Sequence, residues 1–98
     1  MLHAVIRPYV GHVDISAAMA TKLQSKHGVT PDEVREAVHS RNARFRWHTD
    51  PRHGLRLLVI GSTAGGRTLK VILQPVDVPD GTFRLRTAFA QAREGGTS

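Results

Sequence analysis

The hydrophobic residues change their spacing part-way along the chain, from a helical period to an alternating one. In the first part they recur every three or four positions: Met19, Ala20, Leu23, Val34, Ala37 and Val38. This spacing predicts two helices, over residues 17–27 and 31–39, each with one apolar face. Ser16 is a suitable N-cap for the first helix. From residue 43 onward, apolar and charged residues alternate, which predicts strands.

The two predicted helices are joined by a short segment in which the first helix ends and the second begins. We call this segment, residues 26–34, the helix joint. Gly28 suits the left-handed conformation that closes a helix, and the two residues before it place positive charge at the negative end of the helix. Thr30 and Glu33 have the spacing of a capping box, with a proline at the first helical position.

Four segments in the remainder of the chain predict strands: residues 43–48, 55–61, 67–74 and 82–87. Residues 55–61 are apolar apart from Arg56, which is typical of a strand in mid-sheet with both faces covered. Glycines 65 and 66 favour a turn, so this strand and the next form a hairpin. Residues 12–15 are a further extended candidate, and residues 88–94 a candidate helical turn. The order indicates an α+β fold, with two N-terminal helices packed on a three- to four-stranded antiparallel sheet.

Length and composition predict one basic domain. We expect the 98 residues to form a single domain with its core over about 12–93, and peripheral ends at 1–11 and 94–98. Fourteen Lys and Arg residues against eight acids give a formal net charge of +6, and only three of the fourteen are lysine. Arginine binds phosphate with two donors at once, so this balance favours a polyanionic partner over an incidental surface charge. With no signal peptide or membrane span, we expect a cytoplasmic protein.

Basic residues fall on one side of the predicted strands. They occupy the positions that alternate with the larger apolar residues: Arg44, Arg46, Lys70, Arg84 and Arg86. An ordinary solvent-exposed face would also be polar, but this set contains no acid. If the strands are neighbours, the set forms a basic sheet face suited to a phosphate backbone.

The histidines and the missing cysteines limit the chemistry. Without cysteine there is no disulfide, thiolate zinc site or cysteine nucleophile, and the six histidines show no metal-binding spacing. We therefore predict neither a metal nor another cofactor. His48 and His53 flank Asp50 and could transfer protons near neutral pH, or be ordinary polar loop residues. The residues alone support a small basic α+β domain that binds nucleic acid.

Three ordered motifs followed by a basic last strand carry a family resemblance. The motifs are K-L at 22–23 leading into K-H-G-V-T at 26–30 and E-V at 33–34, R-x-x-V-I-G at 56–61, and G-R-x-L-x-V at 66–71. Over about residues 15–93 this set resembles BrnT-type toxins of the RelE-like superfamily, and most of all their compact actinobacterial relatives. The resemblance implies a toxin of a type II toxin–antitoxin system.

The resemblance also implies an activity, partners and site residues. The activity is that of a metal-independent ribonuclease, a hydrolase that activates the ribose 2′-hydroxyl; the partners are a cognate antitoxin and RNA or ribosome-bound mRNA. Transferred by position, the catalytic set is Lys26, His27, Arg56, Arg67, Arg84 and Arg86. The RNA-binding set is Arg44, Arg46, Lys70 and Arg93. The general base stays open among His27, His48, His53 and Glu36, and His27 has the alternative role of a helix-end residue.

The chain also departs from the BrnT pattern. Many relatives carry a Trp-Asp pair before the first helix and a lysine soon after, where this chain has Val13, Asp14 and Ala17. Their last strand commonly ends in Ala-Arg, where this chain has Ala88 and Phe89. These departures favour an alternative function, a non-catalytic basic module that binds nucleic acid or an acidic protein.

Overall fold

One mixed β-sheet organises the part of the chain that the structure, a computed structural model, describes, residues 8–91. Its elements in chain order are β1 (His12–Asp14), α1 (Ala17–His27), α2 (Pro31–Val38), β2 (Arg44–Asp50), β3 (Gly54–Ser62), β4 (Thr68–Asp77) and β5 (Thr82–Ala90). The strands lie in the order β1-β5-β4-β3-β2. Strands β2 to β5 form an antiparallel meander, and β1 runs parallel to β5. The α+β class is confirmed.

The helix ends are those that the sequence predicts. The Ser16 hydroxyl accepts the backbone N–H of Met19 at 3.0 Å and caps α1. Gly28 closes α1 with a φ of 62°, a conformation that costs glycine little. At the start of α2 the Thr30 hydroxyl accepts the Glu33 N–H and the Glu33 carboxylate accepts the Thr30 N–H, each at 3.1 Å. The helix joint is therefore a confirmed prediction.

The core lies between the helices and one face of the sheet. Helix α2 contacts β3 and β4, and α1 contacts β5. Alternate residues of the three central strands are buried there: Leu57, Val59, Leu69, Val71, Leu73, Phe83, Leu85 and Ala88. Leu23 of α1 and Val34, Ala37 and Val38 of α2 complete the same cluster. Burying this apolar surface is the main stabilising contribution to the fold.

Helix α2 packs very closely on β3 at Gly61. A Cβ atom added there would collide with the Ala37 carbonyl oxygen and lie 2.8 Å from Ser40 Oγ. Ser40 fixes the contact, since its hydroxyl donates to the Ala37 carbonyl at 2.8 Å and accepts the Ser62 N–H at 3.1 Å. The glycine of the R-x-x-V-I-G motif is therefore a packing requirement.

The predicted sheet of three to four antiparallel strands is wrong: the sheet has five strands and is mixed. The additional strand, β1, has three residues and pairs with residues 82–84 at the far end of the chain. Contacts with α2 fix it, because Arg35 Nη2 lies 3.2 Å from the Val13 carbonyl oxygen and His39 Nε2 lies 2.9 Å from that of Val10. A three-residue strand is too short for its alternation to reveal its partner.

Two further local predictions are wrong. Strand β3 is in mid-sheet, but its fully buried side chains are those of Leu57 and Val59, whereas Leu58 and Ile60 are half-buried on the face opposite the helices. The helical turn expected from residue 88 is strand as far as Ala90. Gln91 continues the pairing by donating its N–H to the Thr68 carbonyl at 2.8 Å. The rest of that predicted turn lies outside the described residues, as does Arg93.

Neither helix of the described region, at 11 and 8 residues, has the length and apolar character of a bilayer span.

Candidate nucleic-acid interface

The sheet face opposite the helices carries most of the basic strand residues. Directly opposed residues on neighbouring antiparallel strands point to the same side, so the pairing register defines this face. One row across the sheet is Arg46, Leu58, Ile72 and Thr87, and the next is Arg44, Ile60 and Lys70. His48 and Arg56 form a third pair. We call these residues, with Arg86, the open face.

A hollow of about 460 Å³ lies at the centre of the open face. We call it the central hollow; its lining is His48, Asp50, His53, Arg56, Leu58, Lys70, Ile72, Arg86 and Thr87. Four strands contribute, and the tight turn between β2 and β3 brings His53 back over the sheet. The leucine and isoleucine form an apolar floor beneath three cations and two imidazoles. This composition suits an anionic ligand that also carries apolar surface, such as a nucleotide.

Asp50 builds the wall of the central hollow that carries His53. Its Oδ1 atom accepts the backbone N–H of Arg52 at 2.7 Å and of His53 at 2.9 Å. The same oxygen lies 3.3 Å from His53 Nδ1. The hydrogen bonds from the His53 and Arg52 backbones hold the pKa of the Asp50 carboxyl below its ordinary value. Asp50 is therefore a carboxylate wherever histidine titrates.

Two smaller depressions extend the hollow across the sheet. One of about 320 Å³ lies between β2, β3 and β4, lined by Arg44, Arg46 and Lys70 with Phe45, Leu58 and Ile60. Another of about 120 Å³ lies beside β1 and β5, lined by Arg84 and Arg86 with Asp14, Ser16, Met19 and Leu85. Lys70 and Arg86 each border the central hollow as well. The three together form a basic track across the sheet.

The cations of the basic track form no ion pair within the described chain. Over residues 8–91 the ion pairs are His53–Asp50 and Arg67–Glu33. Lys70 and Arg86 have no acidic partner in that range, and Arg56 donates only to the carbonyl of its neighbour Leu55, at 3.1 Å. Unpaired cations around a concave surface are available to bind an anionic ligand.

Arg67 lies apart from the basic track. Its Nη1 atom donates to both oxygens of the Glu33 carboxylate, at 3.0 and 3.2 Å, and to the Gly28 carbonyl at 3.1 Å. The half-buried guanidinium thus ties the β3–β4 hairpin to the helix joint. The structure does not bring it together with the other arginines of the expected catalytic set.

The basic residues of the helix joint do not line the central hollow either. The His27 ring packs against Phe89, with 6.0 Å between ring centroids, and Lys26 is exposed on the last turn of α1. Glu36, another candidate base, accepts the backbone N–H of Ala64 at 3.0 Å and stabilises the hairpin turn. Of the four candidate bases, only His48 and His53 line the central hollow.

Sequence reasoning missed the floor of the hollow. Leu58 and Ile72 look like core residues because they are apolar and long or β-branched, and only the strand register places them on the open face. Thr87 was missed because a register shift between Ile72 and Leu73 changes which β5 residues face the hollow. Between residues 8 and 91 no three His, Asp or Glu side chains are arranged to hold a metal ion.

Comparison with known proteins reveals a likeness of fold. No protein-family model matches the chain, and no curated protein matches its sequence. Among solved structures, the fold is similar to that of the ribonuclease toxin BrnT of Brucella abortus, with a TM-score of 0.64 and 20% sequence identity. The match covers 84% of this chain and 97% of that chain. The chain therefore has a BrnT-like fold.

Proposed function

We propose that the protein is the ribonuclease toxin of a type II toxin–antitoxin system, a RelE-like enzyme that cleaves RNA or ribosome-bound mRNA without a metal ion. The observation that carries the proposal is the central hollow, where two histidines lie among three unpaired cations. The BrnT-like fold supports it, since the similar structure is that of a ribonuclease toxin. Because its proposed substrate is RNA or ribosome-bound mRNA, the protein acts in the cytoplasm.

The basic track supplies the affinity for RNA. Its six cations lie on four adjacent strands: Arg44, Arg46, Arg56, Lys70, Arg84 and Arg86. A polyanion that crosses the sheet releases counterions as it meets each cation, so binding weakens steeply with salt. The apolar floor of Leu58 and Ile72 offers a surface on which one base can lie while its phosphates meet the cations.

The central hollow supplies the elements that RNA cleavage requires. The ribose 2′-oxygen must lose a proton, attack the adjacent phosphorus and displace the 5′-oxygen, while negative charge increases on the phosphate. Arg56, Lys70 and Arg86 surround the position where that charge develops. The reaction uses a nucleophile within the substrate, so the protein needs only proton transfer and electrostatic stabilisation.

The antitoxin is proposed to be a small acidic protein. A toxin with a formal charge of +6 presents a surface that an acidic partner complements. An antitoxin that covers the basic track would exclude RNA from it, and neutralisation would follow from competition for one surface. Co-expression with the product of an adjacent short gene tests this, since a stable complex without ribonuclease activity is expected.

Cleavage of a defined RNA by the purified chain in EDTA tests the function. We expect products with 2′,3′-cyclic phosphate and 5′-hydroxyl ends, and no cleavage when a 2′-deoxynucleotide replaces the ribonucleotide at the cut site. Expression of the chain alone should arrest growth. Tight, salt-sensitive RNA binding without cleavage, by the free chain or on ribosomes, would contradict the proposal and establish a binding module.

A further inference from the structure

We infer that His53 is the general base and His48 the general acid of the proposed ribonuclease, with Asp50 as the residue that positions His53. This assignment rests on the proposed function and deepens it. All three residues line the central hollow together with the cations. It moves proton transfer away from the helix joint, where the family resemblance places Lys26 and His27.

The β2–β3 turn fixes the orientation of His53. Asp50 Oδ1 holds the turn through two backbone N–H groups and lies 3.3 Å from His53 Nδ1. A carboxylate at this position favours a proton on Nδ1, which leaves Nε2 with a free lone pair. The same carboxylate stabilises the imidazolium that forms when Nε2 takes a proton. His53 is 60% exposed, so a substrate can reach it.

His48 stands on the strand that leads into this turn. It is exposed, and its partner across the strand pair is Arg56. His48 is thus attached to the sheet, while His53 lies in the turn between the paired residues Asp50 and Gly54. One hollow lined by two imidazoles allows one to accept a proton while the other donates one to the opposite side of the same phosphate.

The cleavage step balances with these groups alone. His53 Nε2 takes the proton of the ribose 2′-hydroxyl, and the 2′-oxygen forms a bond to the phosphorus. The bond from phosphorus to the 5′-oxygen breaks with its electron pair, and that oxygen takes the proton of protonated His48. The products are a 2′,3′-cyclic phosphate and a 5′-hydroxyl, with the two histidines in exchanged protonation states. Solvent restores both.

Charged groups from every strand around the hollow face the two histidines. Asp50 comes from the end of β2, Arg56 from β3, Lys70 from β4 and Arg86 from β5. Asp50, whose pKa is lowered by its backbone hydrogen bonds, is a carboxylate in the range in which histidine titrates. The rate should therefore depend on pH through the histidines and follow a bell, with its maximum where one is neutral and the other protonated.

The other described histidines do not line the hollow. The two ring nitrogens of His39 lie 2.9 Å from the Val10 carbonyl oxygen and 3.1 Å from that of Arg35. His27 packs on Phe89. His12 is exposed on β1 and does not line the hollow, which makes it a matched control for substitution.

Four variants of the full chain test the assignment: His53→Gln, His48→Gln, Asp50→Asn and, as control, His12→Gln. Each hollow histidine variant should cleave RNA about 10²- to 10⁴-fold more slowly and lose one limb of the pH profile. Asp50→Asn keeps a side-chain oxygen to accept the backbone N–H groups of the turn. Its cleavage rate should fall about tenfold or more, and the limb of its pH profile that reports His53 should shift. Circular dichroism confirms folding, which these exposed substitutions should leave intact.

A second substrate separates the acid from the base. A uridine 3′-phosphate ester of p-nitrophenol has a leaving group that needs no proton, so His48→Gln should recover most of its rate on it and His53→Gln should not. Loss of at most threefold in both histidine variants, or an equal loss in His12→Gln, would overturn the assignment and leave the ribonuclease in place. Absence of cleavage by the unsubstituted chain would instead overturn the proposed function.

Discussion

The two faces of the sheet are built from neighbouring residues of the same strands, yet they serve different purposes. Leu57 is fully buried under the helices, whereas Leu58 is half-buried at the floor of the central hollow. On the helix-covered face, alternate residues of the central strands are aliphatic or aromatic and pack in one core cluster. On the open face, the apolar positions are separated by arginine, lysine and histidine. One face holds the fold, and the other is available to a ligand.

The basic residues near the helix joint and those in the central hollow differ in a similar way. Around the helix joint, Arg67 is bound to Glu33 and to the Gly28 carbonyl, so its charge is used within the protein. In the central hollow, Lys70 and Arg86 have no acidic partner among residues 8–91. A charge that is already paired stabilises the fold, while an unpaired one can bind a ligand. Pairing, more than residue type, separates the arginine that stabilises the fold from the arginines that are free to bind a ligand.

The largest difference between the faces should appear on truncating adjacent leucines. Leu57→Ala leaves a cavity in a closed core and should reduce the free energy of unfolding by about 2–5 kcal/mol. Leu58→Ala removes a half-exposed side chain and should cost about 1 kcal/mol. Urea denaturation of both variants measures the difference. Equal losses would mean that the open face is packed as tightly as the core.

The close approach of α2 to β3 should be the next most sensitive feature. In Gly61→Ala the new methyl group meets the Ala37 carbonyl oxygen, so α2 must shift, at a cost of about 1–3 kcal/mol. Gly65→Ala is the control, since the nearest atom to its new Cβ is Thr63 Oγ1, at 3.9 Å. Thermal unfolding compares them, and an unchanged midpoint for Gly61→Ala would contradict the described packing.

Substitutions at Glu33 in the helix joint should reduce the free energy of unfolding by a smaller amount, and two variants separate its two contributions. Glu33→Ala removes half of the capping box and the partner of Arg67 and should cost about 1–2 kcal/mol. Glu33→Gln retains a side-chain oxygen for the Thr30 N–H and loses the charge, so it should cost about half as much. Chemical denaturation separates the two contributions. A Gln variant as unstable as the Ala variant would assign the whole effect to the ion pair.

The smallest effect is the acid dependence of stability due to Asp50. Its pKa is lowered in the folded chain, so the carboxylate stabilises the fold above the unfolded-state pKa, about 3.9, and this contribution is lost as the pH falls through the lowered value. Asp50→Asn should therefore lose slightly less stability between pH 5 and pH 2 than the unsubstituted chain. Parallel acid titrations by circular dichroism measure it; a larger loss in the variant would give the opposite sign.

Local patterns predicted the helices and the meander well, because each depends on neighbouring residues. Ser16, Gly28 and Thr30 fix the helix ends by contacts within four positions. Strand β1 was assigned no partner, because its parallel pairing with residues 82–84 depends on contacts seventy positions away.

The candidate site was only partly predictable from the sequence, for a related reason. Alternation indicated a basic side for Arg44, Arg46 and the β5 arginines, but only the register shows that Lys70 and Arg86 border one hollow with two histidines. The pairing of Arg67 with Glu33 spans 34 positions and has no local signature.

Comparing Arg86→Ala with Arg67→Ala in one RNA cleavage assay, with unfolding curves for both, tests the central claim most directly. Arg86→Ala should cleave about 10²- to 10³-fold more slowly and unfold at the same denaturant concentration. Arg67→Ala should lose about 1–2 kcal/mol of stability and cleave at the original rate where it is folded. The reverse pattern, with cleavage lost in Arg67→Ala and kept in Arg86→Ala, would place the site at the helix joint and contradict the account.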